Sequence, residues 1–118
     1  MKDMRILIAD DNPGMRGMIR GIVSSFCDEV VECGDGQEAI QVCHAQRPDI
    51  VLMDIMMPRM NGIDAAREIL STFPETRIIM VTDYGDQELK ELASRVGALG
   101  YVEKENLLQL RTVCAASA

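Results

Sequence analysis

Short apolar runs recur along the chain, each bounded by charged, glycine or proline residues. Residues 49–54 show the pattern, because Ile50, Val51, Leu52 and Met53 lie between two aspartates. An unbroken apolar run of this kind favours a strand that is buried on both faces of a parallel sheet. We predict five strands, at residues 5–9, 29–33, 49–54, 77–81 and 99–102.

The segments between these runs carry apolar residues at helical spacing. The first segment places them three and four residues apart, which predicts one buried helix face, at Met15, Met18, Ile19, Ile22, Val23 and Phe26. Asn12 and Pro13 suit its cap and first position. Asp35 and Glu38 resemble a capping box for a second helix, which runs to about Gln46. Three further helices follow, with inward residues Ile63, Ala66, Leu70 and Phe73, then Leu89, Leu92, Ala93 and Val96, then Leu107, Leu110 and Cys114.

Strand and helix therefore alternate five times, with no linker between them. This alternation predicts an α/β fold, a five-stranded parallel sheet with helices on both faces. Right-handed crossovers leave few topologies, and we expect the flavodoxin-like strand order 2-1-3-4-5. The 118 residues are enough for one domain, which we predict to span residues 1–118.

Composition narrows the classes of function. A net charge of −7 disfavours binding of nucleic acid or of an anionic membrane by this domain. No apolar run approaches the ~20 residues of a membrane span, and no signal peptide is visible, so we expect a cytoplasmic protein. The four cysteines form no metal-binding pair and are expected to be reduced thiols.

Charged and hydroxyl residues follow four of the predicted strands. Asp10 and Asp11 follow strand one, Asp54 strand three, Thr82 strand four and Lys104 strand five. The carboxyl ends of neighbouring parallel strands form one edge, where ligands bind in such sheets. Clustered carboxylates repel each other unless a cation neutralises them, and Mg²⁺ suits such oxygen ligands. We predict that Asp54 attacks phosphorus, with Mg²⁺ and Lys104 offsetting charge and Thr82 donating a hydrogen bond.

This constellation resembles the receiver domain of two-component response regulators, and single-domain chemotaxis-type regulators in particular. The resemblance covers essentially the whole chain. The acidic pair is Asp10 and Asp11, and the acceptor is Asp54. Met57, Pro58 and Gly62 match the loop after the acceptor. Thr82 matches the switch hydroxyl, Tyr101 the switch aromatic and Lys104 the lysine of the family.

The resemblance implies more than the residues do. It implies a histidine kinase or histidine phosphotransfer protein as phosphodonor, and a metal site completed by the backbone carbonyl of Met56. It implies that Thr82 and Tyr101 move on phosphorylation and change the face of helix 4, strand 5 and helix 5 toward a downstream protein target. The chain would be a monomer or weak dimer and no enzyme beyond self-phosphorylation and slow self-dephosphorylation.

Two positions depart from the family pattern. Glu105 stands after Lys104, where the family usually has proline, often after a cis peptide. A non-proline cis bond costs about 3–4 kcal/mol, so we expect a trans peptide here. Asp83 stands after Thr82, where a small residue is usual, and we expect a solvated carboxylate.

Other readings of the site stay open at this point. An aspartyl phosphatase would carry Asp-x-Asp, but Met56 occupies the position of the second acid. A flavin carrier would offer Ser, Thr and Gly after strand one, where this chain has Asp10 and Asp11. A receiver-like module that is never phosphorylated would not need the full set of residues. The chain is either a complete single-domain regulator or a module of a longer response regulator or hybrid kinase.

Overall fold

The computed structural model describes residues 4–117, so both ends of the predicted domain, 1 and 118, lie outside the described part. Its elements are β1 (Arg5–Ala9), α1 (Pro13–Val23), β2 (Glu29–Cys33), α2 (Gly36–Gln46), β3 (Ile50–Met53), α3 (Gly62–Thr72), β4 (Arg77–Thr82), α4 (Gln87–Val96), β5 (Gly100–Glu103), a 3₁₀ helix (Lys104–Gln109) and α5 (Leu110–Ala116).

The five strands form one sheet in the order β2-β1-β3-β4-β5, and every neighbouring pair is parallel. The predicted fold class and strand order are confirmed. The observed strands differ from the predicted ones only at their ends, since β3 is shorter and β4 and β5 extend one residue further.

Successive strand residues pack on opposite faces of the sheet, because side chains alternate along a strand. Leu7, Val51 and Ile78 belong to a core cluster with residues of α2, α3 and α4. Ile6 and Leu52 belong to a second cluster with residues of α1 and α5. Both faces are therefore covered by helices, which explains why the central strands are apolar throughout.

Asn or Asp caps each of the helices α1 to α4. The capping side chains of Asn12, Asp35, Asn61 and Asp86 accept a backbone N–H three residues on. At α2 the predicted capping box is only half formed, because Glu38 accepts the N–H of Gly34 at 3.1 Å instead of that of Asp35. The caps fix where each helix begins, and therefore how each loop leaves the carboxyl edge of the sheet.

Two predictions about helices are wrong in part. The apolar spacing places Met18 on the buried face of α1, but Met18 is 59% exposed. Helix α1 ends at Val23, so Phe26 lies beyond it. The last helix is not continuous, because a 3₁₀ helix with non-helical dihedrals at Asn106 precedes α5.

No helix within residues 4–117 is long and apolar enough to cross a membrane.

Candidate functional site

The residues predicted to form the site lie at the carboxyl edge of the sheet. Asp10 and Asp54 each continue a strand by one residue. The N–H of Asp10 donates to the carbonyl of Cys33 at 3.1 Å, and that of Asp54 to the carbonyl of Ala9 at 2.9 Å. These backbone bonds fix Asp10 against β2 and Asp54 against β1, at the ends of the adjacent strands β1 and β3.

Three carboxylates form the acidic part of the site. An oxygen of each of Asp10, Asp11 and Asp54 lies within 4.8 Å of the others. Asp10 and Asp54 are buried, with 1% and 5% exposure, whereas Asp11 is exposed. Oδ1 of Asp10 accepts the N–H of Asn12 at 2.8 Å, and its Oδ2 lies 2.8 Å from Nζ of Lys104. Three carboxylates this close together supply the hard oxygen ligands that fit a divalent cation such as Mg²⁺.

Lys104 reaches the same carboxylates from the end of β5. Its Nζ lies 3.0 Å from Oδ2 of Asp54 and 2.8 Å from Oδ2 of Asp10. Burial lowers the pKa of Lys104, but its contacts with Asp10 and Asp54 outweigh burial and raise the pKa overall. The ammonium therefore stays charged. All peptide bonds among residues 4–117 are trans, so Glu105 in place of proline does not keep Lys104 from Asp54.

The environment of Asp54 makes its carboxylate more basic than usual. Burial is the largest influence and raises its pKa, and the negative charge of Asp10 adds to this. The hydrogen bond and charge of Lys104 act in the opposite direction without reversing the change. A desolvated carboxylate beside an ammonium is the kind of group that enzymes and switches use as a nucleophile.

Thr82 and Tyr101 are linked to each other through the backbone of Tyr84. Thr82 is fully buried, and its Oγ1 lies 3.4 Å from the N–H of Tyr84. The hydroxyl of Tyr101 donates to the carbonyl of Tyr84. The ring of Tyr101 is half-buried, with the ammonium of Lys90 5.7 Å from its centroid. The loop after β4 thus connects the site to the edge strand β5.

Asp83 and Met56 flank the site on the solvent side. The Asp83 side chain is 72% exposed, and its Oδ2 lies 4.0 Å from Nζ of Lys104. This placement agrees with the expected solvated carboxylate. The Met56 side chain is 55% exposed, directly after the buried Ile55. Met56 therefore contributes little to the core, and the loop that carries it must be held by other residues.

Sequence reasoning missed the contacts that shape this loop. Gly62 is packed so closely that an added Cβ would overlap the backbone carbonyl of Asp54. Arg59 forms an ion pair with Asp35, whose role was predicted only as a helix cap. The two residues of that pair lie 24 positions apart, and no local spacing pattern signals such a pair.

Comparison with known proteins identifies the family to which the chain belongs. The model of the response regulator receiver domain family matches residues 6–114. Chemotaxis protein CheY of Thermotoga maritima is 41% identical over 101 residues, covering 85% of this chain and 84% of that protein. Chemotaxis protein CheY4 of Vibrio cholerae superposes with a TM-score of 0.90 at 27% identity, covering 99% of this chain and 100% of that one.

Some relatives are longer proteins. The uncharacterized transcriptional regulatory protein YxjL of Bacillus subtilis is 38% identical over 106 residues, which cover 88% of this chain but 49% of that protein. The chain therefore spans about half the length of the transcriptional regulators that it matches. The fold, the family match and two relatives at 41% identity agree. The chain belongs to the response regulator receiver domain family of two-component systems, as the resemblance in its sequence predicts.

Proposed function

We propose that this chain is a phosphorylation-dependent signalling switch and that Asp54 accepts the phosphoryl group. One observation carries the proposal. Asp54 is a buried carboxylate at the end of a central strand, 3.0 Å from the ammonium of Lys104 and beside the carboxylates of Asp10 and Asp11. Asp54 therefore has the positive charge of Lys104 on one side and two carboxylates that could bind a cation on the other.

The proposed phosphodonor is a phosphohistidine of a histidine kinase or histidine phosphotransfer protein. A carboxylate oxygen of Asp54 attacks phosphorus, an oxygen–phosphorus bond forms, and the phosphorus–nitrogen bond breaks. The electron pair of that bond stays on the departing imidazole. Lys104 remains charged, because its contacts raise its pKa, and it offsets charge on the phosphoryl oxygens. The reaction converts a free carboxylate into an acyl phosphate.

Magnesium would bind through Asp10, Asp11, Asp54 and the backbone carbonyl of Met56. The carboxylate oxygens of Asp10, Asp11 and Asp54, which lie within 4.8 Å of one another, support this assignment. When bound, Mg²⁺ would neutralise part of the negative charge that builds up as the phosphoryl group approaches these carboxylates. The chain's own contribution is to hold Asp10 and Asp54 rigidly through the backbone bonds of β1 and β3.

The proposed output runs through Thr82 and Tyr101 to the face formed by α4, β5 and α5. Phosphorylated Asp54 would attract the hydroxyl of Thr82, and the Thr82–Tyr84 contact would be lost as that hydroxyl turns. Tyr101 is hydrogen-bonded to the same residue, so its ring would be released to move inward. Leu99, 59% exposed beside β5, lies on a surface that a downstream protein would contact.

The remaining properties follow from the same proposal. The chain catalyses nothing beyond its own phosphorylation and slow dephosphorylation, and it acts as a monomer or weak dimer. The net charge of −7 argues against nucleic acid or an anionic membrane as the partner of this domain. The same switch serves a single-domain regulator or the receiver module of a longer response regulator or hybrid kinase.

A phosphorylation assay tests the acceptor. The purified chain is incubated with acetyl phosphate and MgCl₂, and its intact mass is measured. We expect one added phosphoryl group in the wild type and none in Asp54→Asn. Asp49→Asn is the matched control, because Asp49 lies at the other end of β3 and its Oδ2 accepts the N–H of Arg5 at 2.9 Å. Equal labelling of Asp54→Asn and wild type would refute Asp54 as the acceptor.

A further inference from the structure

The loop between β3 and α3, residues 54–61, is tied to the beginning of α2 by an ion pair. Nε of Arg59 donates to Oδ2 of Asp35 at 2.9 Å, and a terminal nitrogen of the same guanidinium donates to the same oxygen. Asp35 is 1% exposed, and its Oδ1 accepts the N–H of Glu38 at 2.8 Å. Arg59 therefore reaches from the surface onto a buried carboxylate that is already fixed as a helix cap.

Arg59 adopts a backbone conformation that favours glycine. Its φ is 63°, in the left-handed region, where a Cβ is unfavourable. Within residues 4–117 the other non-glycine residue with positive φ is Arg47, the C-cap of α2. An arginine at such a position carries backbone strain that glycine would not. The hydrogen bonds to Asp35 are a contact that glycine could not make.

Backbone contacts pack the same loop closely at both of its ends. The carbonyl of Met60 accepts the N–H of Gly36 at 3.2 Å, and a Cβ added to Gly36 would overlap that carbonyl. At Gly62, an added Cβ would overlap the carbonyl of Asp54. There is little room for the loop to move as a unit. A change at Arg59 would therefore be transmitted along the loop toward Asp54.

We propose that Arg59 is a positioning residue for the metal site, acting through the backbone of Met56. This inference rests on the proposed function, since Met56 is a proposed ligand. Met56 has an exposed side chain, so its carbonyl is oriented by what holds the loop on either side. On one side Ile55 is buried and its carbonyl accepts the N–H of Gly62 at 2.8 Å. On the other side the loop is held by the pair of Arg59 and Asp35 together with the contact between Met60 and Gly36.

Isothermal titration of the full chain with MgCl₂ tests this role. Arg59→Gly should weaken Mg²⁺ binding about tenfold, the low end for residues that orient metal ligands. Glycine suits the backbone conformation, so a loss of affinity would reflect the lost hold on Asp35. Arg59→Lys keeps the charge and should lose less affinity than the glycine variant.

Arg47→Gly is the matched control. It makes the same chemical change at the same kind of backbone position, but at the opposite end of α2. There the guanidinium lies 4.3 Å from the centroid of the Phe73 ring, remote from the loop. The Arg47→Gly variant should bind Mg²⁺ with the affinity of the wild type. Circular dichroism establishes that each variant is folded. If Arg59→Gly does not fold, Arg59→Gln takes its place and should show the same loss of Mg²⁺ affinity.

The outcomes separate this inference from the proposed function. Mg²⁺ binding by Arg59→Gly within twofold of the wild type, or weaker binding by Arg59→Lys than by Arg59→Gly, would overturn the role of Arg59 alone. A wild type that does not bind Mg²⁺, or an Asp11→Ala variant that binds as the wild type does, would overturn the metal site and with it this inference.

Discussion

Replacing Lys104 with methionine should destabilise the metal-free protein strongly. Nζ of Lys104 lies 2.8 Å from Oδ2 of Asp10 and 3.0 Å from Oδ2 of Asp54. Both carboxylates are buried, with 1% and 5% exposure. Methionine has a similar length and no charge, so Lys104→Met leaves the two carboxylates beside each other without the ammonium that neutralises them.

The expected loss can be bounded from two directions. Removing one partner of a buried ion pair costs about 3–5 kcal/mol. The variant can avoid part of that cost by folding with Asp54 protonated. At about 1.36 kcal/mol for each pH unit, protonating a carboxyl of ordinary pKa 3.8 at pH 7 costs about 4.4 kcal/mol. We therefore expect the free energy of unfolding to fall by about 3–4 kcal/mol at pH 7.

The deficit should shrink as the pH falls. Burial and Asp10 already raise the pKa of Asp54, and losing Lys104 raises it further. The folded variant then binds a proton that the unfolded chain lacks, so acid stabilises the variant relative to the wild type. By the same arithmetic, protonation of Asp54 at pH 5 costs about 1.6 kcal/mol, so the deficit should be clearly smaller at pH 5 than at pH 7.

Urea denaturation followed by circular dichroism, in EDTA at pH 7 and pH 5, measures these differences. Lys90→Met is the control, because the Lys90 side chain is 40% exposed and its Nζ lies 3.4 Å from Oε1 of Glu103. A surface pair of this kind contributes about 0–1 kcal/mol. A loss below about 1 kcal/mol for Lys104→Met at pH 7 would show that the buried contacts of Lys104 contribute no more than a surface ion pair does. A deficit that is the same at pH 5 as at pH 7 would contradict the protonation of Asp54 in the variant.

Two further predictions concern the metal and the lifetime of the acyl phosphate. Asp11→Ala should weaken Mg²⁺ binding at least tenfold, about 1.4 kcal/mol, because too few hard ligands remain, and an unchanged affinity in calorimetric titration would refute this. Phosphorylated wild type should decay slowly, because Met56 is apolar, Tyr84 is bulky, and neither side chain orients an attacking water. The Met56→Asn, Tyr84→Glu double variant should decay faster after the phosphodonor is removed, and an equal rate would show that these two positions do not set the lifetime.

Local sequence patterns determine the elements and their order. Central strands covered on both faces must be apolar throughout, and runs such as residues 50–53 show this without any knowledge of their neighbours. Helix starts are equally local, because Asn12 and Asp35 cap helices through N–H groups only three residues away. The parallel order then places Asp10 and Asp54 at one edge, since strand ends follow from the fold class.

Local sequence patterns do not predict some side-chain positions correctly. Met18 fits the spacing of a buried helix face, yet it is exposed, because the width of that face depends on what packs against α1. The chain after β5 follows a 3₁₀ path before α5, although its apolar spacing predicts one helix. A periodic pattern indicates which side of a helix is apolar, and the neighbouring elements decide how much of that side is covered.

The tertiary structure also decided how distant residues meet at the site. Lys104 reaches Asp54 across 50 residues, with glutamate in the place where proline is usual in the family. Arg59 meets Asp35 across 24 residues, from a backbone conformation that favours glycine. Periodicity and capping are set by interactions over three or four residues, so the sequence by itself could place the site at one edge of the sheet. Contacts between distant segments depend on loop conformation and packing, and only the folded chain determines these.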